Sequence, residues 1–227
     1  MTEQIKKIAF PVFWCLIIVL LFWVPIRNII IKDEPQLAPP IKVTIPEGFN
    51  TKEMSDIFSL KLPKFNKERF LSLAEDKEGY LFPDTYFFAA FNDEKDIIRI
   101  MQENFARKII PFLLEIKTSG RTKREIIIMA SIVEREAKGD ADRGFISGIL
   151  WRRLSIGMPL QADAAPETYK EKGLPKNPIS NPGLEALQAA IRPKSSPYLY
   201  YLHDKNGEIH YAKNFTEHLQ NKSKYLR

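Results

Sequence analysis

The sequence predicts an α+β protein: an N-terminal transmembrane helix, a small accessory α/β module, and a larger domain of mixed helices that closes with a β-hairpin. Three observations lead there. Residues 8–26 are nineteen consecutive uncharged residues, most of them bulky and apolar. Downstream, short alternating runs of strand type are interleaved with longer runs that place apolar residues at helical spacing. Near the end, Asn206-Gly207 separates two aromatic runs, which reads as a hairpin with a type I′ turn. The 227 residues suit one medium domain with attachments.

The apolar run comes first. As a helix rising about 1.5 Å per residue it nearly crosses a hydrocarbon layer about 30 Å thick. Pro11 and Pro25 lie near its ends, where a helix tolerates them. Lys6 and Lys7 precede it, which puts residues 1–7 in the cytoplasm and the rest outside, a single pass through a membrane. A cleaved signal peptide is the rival reading. It is disfavoured because Phe22-Trp23-Val24-Pro25-Ile26 offers no small-residue cleavage site. Residues 27–40, rich in proline toward their end, form a stiff tether.

The accessory module spans 41–77. Ile41-Lys42-Val43-Thr44-Ile45 alternates as a strand; Thr51 caps a helix with Met54, Ile57 and Phe58, and a second short helix holds Phe70, Leu71 and Leu73. The larger domain, 78–227, opens on an aromatic block from Glu78 to Phe88, read as a strand pair around Pro83-Asp84. Its rings are either core or a stacking platform for sugar faces, with Asp84 accepting hydrogen bonds. A helix from about Glu94 to Lys117 shows ordinary core periodicity. The next helix has a capping box, Thr122 to Glu125, and Gly139 as its stop. A further amphipathic helix runs from Phe145 to Leu154. An extended segment then places Gln161 and Asp163 on one side of the chain. Asn181-Pro182-Gly183 precedes a short helix from Leu184 to Ile191, whose open N–H groups suit a carbonyl or anion.

One residue stands out chemically. Glu136 ends the almost wholly apolar helix Ile126 to Glu136, between Met129 and Ile132 on the side the helix would bury. A carboxyl held against apolar neighbours resists ionisation, which suits a general acid. Glu134 projects about 160° away from it, so the two do not form a close carboxylate pair. The net charge of +6 suits an anionic polymer or surface. The basic residues are scattered and no nucleic-acid-binding signature is present, so no nucleic acid is expected. Cys15 lies in the apolar run, and His203, His210 and His218 lack the HExxH spacing, so no metal site is expected.

Several ordered motifs carry a resemblance. Ala130-Ser131-Ile132-Val133-Glu134-Arg135-Glu136, then Arg153 to Asp163, Lys172-Gly173-Leu174-Pro175, Ile179 to Gly183, Pro197 to Tyr201, His210-Tyr211 and His218 are similar to the YceG-like endolytic murein transglycosylases. So is the block from Glu78 to Tyr86. The resemblance runs from about Ile41 to the end. It implies a catalytic role for Glu136, the second Glu of a Glu-basic-Glu triplet. Glu134, Gln161, Asp163, Tyr169, Asn181, Tyr198, His210 and Asp84 would then bind substrate. It implies cleavage between N-acetylmuramic acid and N-acetylglucosamine with 1,6-anhydro ends, no cofactor, peptidoglycan glycan strands as substrate, and membrane peptidoglycan synthases (penicillin-binding proteins) as partners.

Two departures from the family follow. A LysM-like module usually precedes the Ile41 region; here the tether takes its place, leaving 41–77 as a remnant. Some two dozen residues usually separate the Gln-x-Asp and Asn-Thr-Tyr motifs; here Gln161 to Tyr169 runs them together, with Glu167 at the Asn position. Glu167 would either repel an anionic substrate or supply a second carboxyl for hydrolysis. A muramidase, or a weakened glycan-binding scaffold of the synthesis machinery, are the alternative functions.

Overall fold

Strand β1 (Ile41–Thr44) finds its partner far along the chain in β2 (Thr85–Phe88), antiparallel, with Ile41 opposite Phe88 and Thr44 opposite Thr85. The structure, a computed structural model, describes residues 39–226; the segment 8–26 and most of the tether lie outside the described residues. Among the described residues no helix is long and apolar enough to cross a membrane. The aromatic block therefore holds one strand, not a strand pair about Pro83-Asp84. Its backbone partner is β1, and the Thr44 and Thr85 hydroxyls meet at 2.9 Å.

Helix α1 (Thr51–Lys61) starts one residue earlier in its cap than expected. Asn50, not Thr51, accepts from the Glu53 amide at 2.9 Å, and Glu53 accepts from the Asn50 amide at 2.7 Å. Helix α2 (Lys67–Leu73) is capped by Asn66. These two helices, β1, β2 and the first turns of α3 (Glu94–Ile109) enclose a core of Val43, Met54, Phe58, Phe70, Phe88 and Met101, all fully buried. Strand β2 and α3 come from beyond residue 78, so the 41–77 stretch shares its core with the start of the larger domain. So short a stretch holds too few apolar side chains for a core of its own, and the sharing supplies the rest. Residues 40–227 form one unit.

The long helix expected over 94–117 is interrupted. Helix α3 ends at Ile109, a 3₁₀ turn covers Ile110–Phe112, and α4 (Leu113–Thr118) follows. Pro111 has no N–H to donate and crowds the preceding turn, which is cause enough.

Helix α5 (Lys123–Glu136) is the centre of the second core. Thr122 and Glu125 form the expected capping box, and every residue from Ile126 to Val133 is buried. A helix apolar on all sides has to be covered on all sides. Helices α6 (Asp140–Ser155) and α7 (Leu184–Ile191) supply much of that cover. Ser131, polar and wholly buried on α5, donates to the Ile128 carbonyl at 2.7 Å and accepts from the Ile179 amide at 3.1 Å. Gly139 does not stop α5; the chain leaves the helix at Ala137 in an extended conformation, and Gly139 begins α6. Gly79 adopts a left-handed φ of +85°, and a Cβ there would lie 2.7 Å from Ile127 on α5, so only glycine lets the aromatic block approach that helix.

Strands β3 (Tyr200–His203) and β4 (Ile209–Ala212) form the expected hairpin. Its turn is not type I′. Asn206 does not have positive φ; Gly207 does, at +85°, the Gly207 amide donates to Asp204 O, and the Asp204 amide donates to Glu208 O. That is a type I turn followed by a left-handed glycine bulge. The chain then continues into α8 (Phe215–Tyr225), a helix missing from the expected end of the fold. Its signal was present in Asn214 and Glu217: Asn214 Oδ1 accepts from the Glu217 amide at 2.9 Å.

Candidate active site

The last turn of α5 carries Glu136 into a cleft of about 650 Å³. Beside it runs the 157–165 segment. Leu160 and Ala162 point into the core while Gln161 and Asp163 point out, so both polar side chains line the cleft as their spacing requires. The segment is held by the 3₁₀ turn Pro166–Tyr169, which folds back on it. Thr168 is buried; its hydroxyl accepts from the Ala162 amide at 3.0 Å, and its carbonyl accepts from the Gln161 amide at 3.2 Å. Gln161 has φ +50°, and among the described residues it is the one non-glycine with positive φ. Such a conformation costs roughly 1–3 kcal/mol and persists because its surroundings hold it there.

Both oxygens of Glu136 are engaged. Oε1 accepts from the Ala164 amide at 2.8 Å, and Oε2 accepts from the Tyr201 hydroxyl of β3 at 2.8 Å. Burial pushes the carboxyl above its ordinary pKa and the nearby Asp163 pushes the same way, while the two donors pull it back without cancelling the rise. The group is therefore a carboxylic acid more readily than most glutamates. Once ionised, it has two donors in place. Asp163 accepts from the Tyr169 hydroxyl at 2.5 Å. Partial burial together with Asp163 raises that phenol to about 12.

Arg153, from α6, ties the walls together. It is 4% exposed; its Nε donates to Leu199 O at 2.7 Å, its Nη1 donates to Leu160 O, and its guanidinium lies 5.0 Å from the Tyr200 ring centre. One side chain thus joins the segment before Gln161 to the strand that presents Tyr201. The far arm of the cleft is lined by Lys138, His203, His218 and Lys222.

Of the residues expected to bind substrate, Gln161, Asp163 and Tyr169 line this cleft with Glu136. The others lie elsewhere. Glu134 is turned into the protein, accepting from the Gly183 amide at 2.8 Å and from Arg143 at 3.2 Å; it occupies the start of α7 that had seemed open for an anion. Asn181 is wholly buried, accepting from the Leu81 amide at 2.9 Å and donating to Phe49 O and to Glu78. Asp84 accepts from Asn104 at 3.0 Å. Tyr198 stacks on Tyr211 with ring centres 5.1 Å apart. His210 lies against Tyr225 at 3.6 Å and 3.0 Å from Asp204. Glu167 is exposed on the 3₁₀ turn and is not among the residues lining the cleft. Asp204, Glu208 and His210 are close enough to share an ion, but their contacts already satisfy a hairpin turn outside the cleft.

Sequence reasoning singled out neither Tyr201 nor Arg153. For Tyr201 a signal existed, since strand alternation puts it on the same face as His203. Arg153 at a helix C-terminus already had a sufficient explanation in the helix dipole, and nothing local distinguishes it from Arg152.

The comparisons place this arrangement. The YceG-like family profile matches residues 26–167 and 165–224; the match divides at the 3₁₀ turn, where the Gln-x-Asp and Glu167-Thr168-Tyr169 stretches run together. An endolytic murein transglycosylase of Bacillus subtilis is 33% identical over 188 residues, covering 71% of this chain and 50% of that protein. One from Streptococcus pneumoniae is 28% identical, covering 86% of this chain and 46% of its own length. The chain thus spans about half the length of the curated relatives it matches. A crystal structure of a YceG-like protein of Listeria monocytogenes superposes with a TM-score of 0.72 at 26% identity, covering 81% of this chain and 76% of that one. With a profile match across both the helix that ends in Glu136 and the hairpin that presents Tyr201, the chain belongs to the YceG-like family.

Proposed function

We propose that this chain is a membrane-anchored lytic transglycosylase that cuts within nascent peptidoglycan strands, between N-acetylmuramic acid and N-acetylglucosamine. The observation that carries the reading is Glu136: a partly buried carboxyl of raised pKa, facing a cleft, with two donors ready for its ionised form. As an acid it protonates the glycosidic oxygen that leaves. The 6-hydroxyl of the muramic acid attacks the anomeric carbon and closes the 1,6-anhydro ring, and its proton passes to the Glu136 carboxylate. The attack is intramolecular, so proximity replaces a positioned water. The same residue serves as acid and then base. The names of the curated relatives support the substrate class.

Mass spectrometry of uncrosslinked glycan strands incubated with the protein tests the reading; anhydro ends are the expected product. A second reading is hydrolysis, favoured by one observation: Asp163 is a second carboxyl in the same cleft. Glycosidases that use two carboxyls hold them roughly 5 to 9.5 Å apart. Reducing ends would select it, and no cleavage would select the scaffold.

Tyr201 gives a finer test. Its hydroxyl stabilises the Glu136 carboxylate, so Tyr201→Phe should raise the pKa of the acid further. A general acid is lost as pH rises through its pKa. The alkaline limb of the rate profile should therefore move to higher pH, while the rate at the optimum falls. An unmoved limb would detach Tyr201 from the acid.

The anchor is proposed from the uncharged run 8–26 behind Lys6 and Lys7, with the cleft outside the cytoplasm and membrane peptidoglycan synthases as partners. A reporter fused after the last residue should be active only outside, on a full-length, membrane-retained protein. A soluble form starting near residue 27 would refute the anchor.

A further inference from the structure

The arm of the cleft between the end of α5, strand β3 and helix α8 is basic, and its lysines are unpaired. Lys138 and Lys222 line it, and among the described residues neither is in an ion pair. Arg135, also on the rim, has its charge directed to Glu53 at 3.6 Å. Each lysine stands near a histidine. The His203 side chain is 9% exposed, and its Nε2 is buried without a hydrogen-bond partner; the nearest carboxylate oxygen, on Asp142, is 3.9 Å away. His218 Nδ1 is likewise buried and unpartnered. Burial chiefly, helped by Lys138 for His203 and by Lys222 for His218, holds both rings below their ordinary pKa.

Both ring nitrogens are closed off from the cleft, so the ammonium groups beside the rings are what a ligand would meet. Two unpaired ammonium groups beside them set the sign of that ligand. Ammonium ions are point charges suited to carboxylate or phosphate alike.

We propose that this arm is a subsite for the carboxylates of the peptide stems on the glycan, so that the protein distinguishes peptide-bearing from bare strands. The assignment rests on the glycan reading above. It favours stems over phosphate for a geometric reason: the lactyl group that bears the stem is on the sugar whose bond Glu136 would cleave, so the stem must leave the cleft close to that residue. In the bound state Lys138 and Lys222 would hold carboxylate oxygens of the stem. Leu226 and Phe215 on the same arm offer apolar contact to its side chains.

The test compares uncrosslinked strands carrying intact stems with the same strands stripped by an amidase, both free of lipid pyrophosphate, using the full chain in detergent. Wild type should show kcat/KM about tenfold higher on stem-bearing strands, mostly through KM, with the preference shrinking as salt rises. Lys138→Gln/Lys222→Gln should bring the ratio close to one. Lys61→Gln/Lys117→Gln, which removes the same charge from exposed positions away from the cleft, should keep it. Sedimentation of Glu136→Gln protein with each strand reads the same preference as binding, independent of turnover. Equal rates and equal binding on the two strands, or an unchanged ratio in the cleft double variant, would overturn the subsite. A preference seen only when lipid pyrophosphate ends the strand would assign the charges to phosphate and overturn it too. Absence of any new ends from either strand with wild type would instead refute the lytic reading, and the binding measurement would still decide the subsite.

Discussion

Glu136→Gln should abolish glycan cleavage while leaving a folded protein. The amide has the same shape but cannot protonate the leaving oxygen, and acid catalysis of this kind is worth about 10²–10⁴-fold. Thermal stability near neutral pH should be equal to wild type or slightly higher. Burial raises the Glu136 pKa in the folded state above its unfolded value. The stability this contributes is fully present below the unfolded pKa and is lost as pH rises through the folded one; glutamine does not ionise and escapes that loss. Against this, one of the two donors, Ala164 N–H or Tyr201 O–H, would face an amide N–H₂ instead of an oxygen. Counting anhydro ends and measuring Tm on the same preparation checks both halves. Wild-type turnover by the variant would remove Glu136 from the chemistry. Glu134→Gln should show the reverse balance: it loosens the contacts to Arg143 and Gly183 and so reduces stability more than rate.

The second large effect is expected at Asn181, and it is on folding. Asn181 Oδ1 accepts from the Leu81 amide; its Nδ2 donates to Glu78 Oε1 at 2.5 Å and to Phe49 O at 3.1 Å. Glu78 in turn accepts from the Thr51 amide and hydroxyl at 3.0 Å each. This partly buried network joins the loop before α7 to the start of α1 and to the aromatic block. Asn181→Leu is close in volume but strips a buried amide of its acceptor and a half-buried carboxylate of one of its donors. Burial already raises the Glu78 pKa, so its charge is sustained only by the donors that remain. Leaving such groups unpaired costs about 1–3 kcal/mol each, a large share of a net stability of about 5–15 kcal/mol. Denaturant midpoints should fall accordingly, and any loss of activity should follow the loss of folded protein. If Asn181→Leu kept its midpoint and lost only turnover, the residue would belong to substrate binding after all.

What could be read along the chain was what is decided locally. Capping boxes and helical periodicity depend on residues three or four apart, so α5, α7 and the hairpin were legible with their approximate limits. Glu136 was legible because its position on an apolar helix already implies burial, and burial is the main cause of its raised pKa. Pro111 carried a local signal against a continuous helix, and Asn214 to Glu217 carried one for α8.

Contacts between distant residues decided the rest. Tyr201 reaches Glu136 across 65 positions, and Asn181 reaches Glu78 across 103. No propensity or periodicity encodes such pairs, since side-chain chemistry states what a group can bond and not which partner the packing brings. Asn181, in an Asn-Pro-Gly loop, has the composition of an exposed turn. Packing against Phe49, Met54 and Leu81 buries it and gives it structural partners in place of the expected substrate. Strand pairing shows the same limit: β1 presented an alternating face, but only the shared core of α1, α2 and α3 selected β2 as its partner. The sequence alone therefore determined the helix that carries Glu136 and the burial of its carboxyl. The tertiary structure decided which donors surround that carboxyl, and which of the expected polar residues face the cleft, because partner geometry exists only once the chain has packed.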